Sequence, residues 1–178
     1  MRSIIILSLT FFFAIQASAQ AINQKKQLRQ QLIRAINNSS TTDSMYNSLT
    51  AMPIKSPVIV GYIGTLQALK AKHTWNPYSK MKQVANAEKT FEKAIKADPH
   101  NLELRYLRYS VEYNLPKILG QSKNMGADKQ VMLEQIARKR PNDDDRELVI
   151  NVINYLLQNG DHTVGEKTDL HKQLVALK

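Results

Sequence analysis

Ala87-Glu88-Lys89-Thr90-Phe91-Glu92-Lys93-Ala94-Ile95-Lys96-Ala97-Asp98-Pro99 is the stretch that decides the fold. Ala87, Phe91, Ala94 and Ile95 recur at helical spacing, which lays them along one stripe, with the charged residues on the remaining surface. Small residues on either side of one aromatic ring let a second helix approach closely, and Pro99 stops the helix from running on. The segment therefore reads as one half of a tight helix pair. Asn76-Pro77 biases Asn76 out of the helical region and restarts the chain, so the helix is expected over residues 77–97.

Another helix lies just upstream. Ser56-Pro57 is a start signal, with serine as N-cap and proline where its missing N–H costs nothing, and predicts a helix over residues 57–72. Val58, Ile59, Val60, Tyr62, Ile63, Leu66 and Leu69 make it apolar almost all round, so it belongs inside the bundle. Gly61, Gly64 and Ala68 form a strip of small residues along one side. A helical glycine costs about 1 kcal/mol relative to alanine, so close helix packing is the expected reason for the strip. His73-Thr74-Trp75 follows. Trp75 is expected to plug the core, while His73 and Asn76 are candidate ligand-pocket residues.

With Tyr78, this stretch carries a resemblance. Ala87, Phe91, Ala94 and Pro99 fall at the spacing of the small, aromatic, small and proline positions in the second helix of the tetratricopeptide repeat, and Tyr78 falls where its first helix carries a tyrosine. The chain resembles that family over about one repeat. Asn76-Pro77 interrupts the place of an uninterrupted first helix, and residues 102–109 lack the repeat's tryptophan, leucine and glycine. The resemblance implies helical hairpins stacked into a short curved array whose concave surface binds peptides or protein segments. Residues 72–77, with the run over 103–108, also resemble small uncharacterised exported bacterial proteins, which implies no activity.

Further out, helices are expected over residues 22–36, 43–51, 101–114, 128–138, 143–158 and from 165 or 168 to 177. Six glycines, no Asn-Gly or Asp-Gly turn and little strict alternation leave no strand signal. The fold class is all-α: a tetratricopeptide-like array or an irregular bundle of about seven helices. In the last two helices Val149, Val152, Ile153 and Leu156, then Leu170, Leu174, Val175 and Leu177, are expected in the core. In the 128–138 helix Val131, Met132, Leu133, Ile136 and Ala137 take that role.

The N-terminus reads as an address. Met1-Arg2-Ser3 is a short positive region, residues 4–15 are apolar, and Ala17-Ser18-Ala19 is the small-x-small pattern of a cleavage site. A dozen apolar residues fall short of the ~20 a spanning helix needs. Residues 1–19 are thus expected to be a signal peptide and 20–178 a single α-helical domain, exported to the periplasm or beyond. The chain has no cysteine, which excludes a lipidated N-terminal cysteine, disulfides, thiolate metal sites and cysteine nucleophiles.

The net charge is +10, and its distribution is uneven. Residues 20–80 hold eight Lys or Arg against the single acid Asp43. Such a half can be a solvated face or can meet an anionic lipid or glycan surface. No nucleic-acid motif accompanies it.

Residues 101–114 carry three stripes. Leu104, Leu107 and Val111 suffice for core contact; Leu102, Tyr106, Tyr109 and Tyr113 form a second, and Arg105, Arg108 and Glu112 a third. Tyrosines beside arginines can form a recognition face for a peptide, glycan or anion. Alternatively the tyrosines fill a hairpin interface while Arg108 and Glu112 pair at i,i+4 on the solvent side. Asp143-Asp144-Asp145 lacks the spacing of a calcium loop and reads as a helix start capped by Asn142. His73, His100, His162 and His171 match no catalytic spacing, although the fold could assemble Asp161-His162 with His171 or Glu166. No metal ligand set and no cofactor motif are present. The functional expectation is a noncatalytic protein- or peptide-binding module, with a metal-dependent hydrolase and an anionic-surface binder as alternatives.

Overall fold

The computed structural model describes residues 24–116, 123–139 and 145–177. The signal-like segment 1–19 and the Asn142 to Asp144 part of the predicted helix start lie outside them. The described residues are all-helical, in eight helices rather than about seven: α1 (residues 24–35), α2 (Ser39–Ala51), α3 (Pro57–His73), α4 (Pro77–Ala97), α5 (Leu102–Asn114), α6 (Met125–Ala137), α7 (Arg146–Gln158) and α8 (Val164–Leu177).

Capping chemistry sets the helix starts. Ser56 accepts from Ile59 N with Pro57 in the first turn, and Asn76 accepts from Tyr78 N and Ser79 N ahead of α4. α2 begins four residues before its expected start because Asn38 is its cap, accepting from Thr41 N at 2.8 Å. Residues 39–42, which lie before the expected start, are therefore helical. The buried Thr42 hydroxyl donates to the carbonyls of Ala35 and Asn38, which removes the cost of burying it. α8 also starts earlier than expected, through a capping box in which Thr163 Oγ1 accepts from Glu166 N and Glu166 accepts from Thr163 N.

Neighbours in sequence pair in space. α3 packs most extensively on α4, and α5 on α6 and α7 on α8 continue the series, with α3 also lying along α5. The short α3–α4 and α7–α8 connections make those pairs antiparallel, and α5 and α6 are antiparallel because Arg105 reaches Asp128 while Glu112 reaches Asn124. The glycine strip does what its spacing implies: a Cβ at Gly64 would sit 3.3 Å from the Phe91 ring, and one at Gly61 would collide with the Leu104 side chain. Ala87, Phe91 and Ala94 are buried as expected. Tyr78 departs from its expected place in a first helix, because α4 is continuous from Pro77 and puts Tyr78 in its exposed first turn.

Three apolar clusters result, and α5 serves each, with Leu104 closing the smallest on Ala94 and Ile95. Leu49, Tyr62, Leu66 and Phe91 close on Leu107 in the N-terminal half, while Met132, Ile136, Val149, Val152, Leu156 and Leu170 close on Leu102 and Tyr109 in the C-terminal half. Three core expectations are corrected. Trp75 is 97% exposed, because Thr74 and Asn76 are spent capping the helices on either side and the residue between them points outward. Val175 and Ala137 are exposed as well. Each lies one position beyond the stripe that faces the core, where helical rotation turns it to solvent.

Candidate functional site

Among the described residues a cleft of about 720 Å³ opens between α1, α3, α5 and α7. Those four helices run the same way. Arg29, Tyr62 and Glu103, early in α1, α3 and α5, meet at one end with the start of α7 beside them, and Ile36, just after α1, meets Lys72, late in α3, at the other. The walls between are Leu32, Ile33, Leu69, Leu107, Val111 and Leu148.

A polar network closes the first end. Arg29 Nε and Nη2 donate to the two Glu103 oxygens at 2.8 and 3.0 Å, and Tyr62 OH donates to Glu103 Oε1 at 2.7 Å. Burial, reinforced by the Glu103 carboxylate, holds the Tyr62 phenol well above its ordinary pKa. Arg29 Nη2 also lies 3.5 Å from Asp145, and Lys25 and Lys26 reach Asp145 and Glu147. α1 is therefore tied by charge to the start of α7.

The opposite end is cationic. Lys72 donates to Ile36 O at 2.8 Å and to Asn37 Oδ1 at 3.2 Å, both neutral oxygens, and Lys80 lines the cleft with no carboxylate partner among the described residues. His73 Nε2 lies 3.2 Å from Ala35 O, holding the end of α1 against α3. His73 and Asn76 thus join two helices and cap a third.

The tyrosine and arginine set on α5 is divided by the fold. Arg108 is buried, and its Nε and Nη2 donate to Asp128 at 2.7 and 2.6 Å, while Arg105 Nη1 reaches the same carboxylate at 2.7 Å. The stripe of Arg105, Arg108 and Glu112 faces α6 instead of solvent. The i,i+4 pair of Arg108 with Glu112 gives way to partners from across the hairpin: Glu112 accepts from Asn124 N and Nδ2, and burial raises its carboxyl pKa. Buried charge requires a matched partner, and Asp128, with a side chain 0% exposed, is that partner for both arginines.

The tyrosines gather around Tyr155 of α7. Its ring meets those of Tyr106, Tyr109 and Tyr113 edge-on at 5.2, 6.4 and 6.3 Å. Tyr109 is buried, Tyr113 is partly exposed, and Tyr106 lines the cleft beside Tyr155. Burial, with the surrounding phenols adding to it, pushes the Tyr155 pKa up to about 12. Hydroxyl and amide groups along the walls are mostly occupied: Thr65 donates to Gly61 O, Ser110 to Leu107 O, and Asn114 Nδ2 to Ser110 O and Tyr155 OH.

Sequence reasoning passed over Arg29, Tyr62, Glu103 and Tyr155. Glu103 lies in the first turn of α5, and nothing local pointed to an arginine 74 residues earlier. Among the described residues no group of three or more His, Asp or Glu side chains could hold a metal ion. His162 lies 3.8 Å from Glu166, whose carboxylate is held low by the Thr163 N–H and by Lys129. Comparison with family models, with curated proteins and with solved structures finds no match.

Proposed function

We propose that this chain is an exported, noncatalytic binding module and that its site is the cleft between α1, α3, α5 and α7. The observation that carries this reading is a volume of about 720 Å³ with apolar walls, within the 300–1,000 Å³ typical of ligand pockets. The occupied wall groups argue for a ligand with an apolar body. A chain of hydrocarbon asks nothing of Thr65, Ser110 or Asn114, whereas the carbonyls of a peptide backbone buried there need donors that those residues have already committed. Lys72 and Lys80 favour an anionic or polar end at the mouth. Export is supported by the pattern of residues 1–19.

A second reading has a specific support. Serial hairpins with inner helices aligned suit an extended segment of a protein partner, which then inserts apolar side chains and leaves its backbone at the rim. This is the occupant the tetratricopeptide resemblance implies.

A fluorescent fatty-acid analogue and an extended apolar peptide, each titrated into the protein and then competed, separate the two. Ile33, 66% exposed at the cleft's edge, can be changed without emptying a core. Ile33→Asp is expected to weaken the fatty-acid analogue at least ten-fold with helicity unchanged, because a carboxylate would have to be desolvated. Tight peptide binding that excludes the analogue favours the second reading. Binding of neither sinks the module.

A further inference from the structure

We infer that the α3–α4 turn is a membrane-docking face that seats on the interface of an anionic lipid bilayer. Trp75, Tyr78 and Met81 are 97%, 77% and 63% exposed. Tyr78 and Met81, three residues apart, share one face of the first turns of α4, with Trp75 immediately before its cap. Scattered single apolar residues on a surface need no explanation, but three large ones together do. Tryptophan and tyrosine are also the side chains that favour the headgroup level of a bilayer, where an apolar ring and a polar tip are both satisfied.

Charge selects the kind of bilayer. Lys72, Lys80 and Lys82 surround the aromatic pair in sequence, and none has a carboxylate partner among the described residues. The background is equally one-sided: from Ser44 to Ala87 the chain contains five lysines and no acid. Acidic residues near a bilayer would oppose anionic headgroups, and this segment has none to offer. Three lysines with three exposed apolar side chains combine the two signals that reversible membrane attachment requires.

The face also adjoins the cleft. Lys72 and Lys80 belong to both, so docking brings the cationic end of the cleft to the lipid surface. Docking does not require an occupied cleft, and a module that binds its ligand in solution would leave it intact.

Trp75 is the single tryptophan of the chain, so its emission reports this face alone. Titration of the full chain with phosphatidylglycerol–phosphatidylcholine vesicles should shift that emission to the blue, and lipids brominated near the glycerol should quench it. Neither should occur with pure phosphatidylcholine, and both should fade between 50 and 500 mM salt as the charges are screened. Lys80→Gln and Lys82→Gln should each weaken vesicle affinity about five-fold at low salt. Trp75→Ala with Tyr78→Ala should abolish cosedimentation beyond the level set by the unchanged N-terminus, with helicity retained because both side chains are exposed. Unchanged Trp75 emission on anionic vesicles overturns the docking face. So does a blue shift that grows with protein concentration in the absence of lipid, which would mark a contact between copies. Loss of fatty-acid binding with docking retained would break the cleft reading and leave this one standing.

Discussion

The two faces of α5 carry similar residues and meet opposite fates. Toward α6, Arg105, Arg108 and Glu112 are matched by Asp128 and Asn124, and every one of those groups is answered by the chain itself. Toward the cleft, Glu103 is answered by Arg29 and Tyr62 at one end, but Tyr106, Leu107 and Val111 face open volume. Charge on a helix is therefore no guide to function until its partners are known. A saturated face is architecture, and the face with space left over is where a ligand can enter.

The comparison is tested most severely at Asp128. Asp128→Ala leaves two arginines facing a buried void and is expected to cost about 3–5 kcal/mol, read as a lower urea midpoint. The molecules that remain folded should still bind a cleft ligand with unchanged affinity, since Asp128 lies on the other face. Altered affinity in the folded fraction would break the separation of the two faces.

Glu103→Gln should be milder, about 2 kcal/mol. Arg29 is one-fifth exposed and keeps Asp145 at 3.5 Å, so it retains both water and a counter-charge. Unlike Asp128→Ala, this change should alter cleft binding, because Glu103 and Arg29 line the cavity. Equal destabilisation by the two substitutions would show that the closed end is as sealed as the α6 interface.

Alkaline titration provides the finest distinction. Tyr155 has its folded pKa raised from 10.0 to about 12. A raised pKa means that the stabilising contribution is fully present below pH 10 and is lost as pH rises from there through about 12, since the unfolded chain releases the proton first. Tyr155→Phe should flatten the loss of stability across that window, with a cost below pH 10 of about 1 kcal/mol for the Asn114 hydrogen bond. Phenolate absorbance that rises fully near pH 10 would mean the tyrosine cluster is wetter than its ring contacts imply.

Much of the architecture was legible locally. Ser56-Pro57 and Asn76-Pro77 mark helix starts wherever they occur, because capping and the proline ring act within one turn. The stripe of Ala87, Phe91 and Ala94 and the strip of Gly61 and Gly64 each announced a close helix neighbour: Gly64 meets Phe91 and Ala87 of α4, whereas Gly61 meets Leu104 and Leu107 of α5. The capping box Thr163-x-x-Glu166 was equally readable and was passed over. Trp75 misled because large aromatic rings are usually buried, and size says nothing about which way a three-residue linker turns. The α5 set misled for another reason. Spacing ordered Arg105, Arg108, Tyr106 and Tyr109 into stripes but contained nothing about which stripe a neighbouring helix would cover.

By itself the sequence determined what acts over short range: the helical class, the caps, the close α3–α4 pair, the absence of thiol chemistry, and the one-sided basic charge of residues 44–87. Only the tertiary structure decided which charges cancel and which surfaces remain. Arg29 finds Glu103 across 74 residues, Arg108 finds Asp128 across 20, and Tyr155 joins three tyrosines of α5. Those meetings follow from how whole helices stack, a collective outcome of burial summed over many side chains. The cleft is what that stacking leaves unfilled.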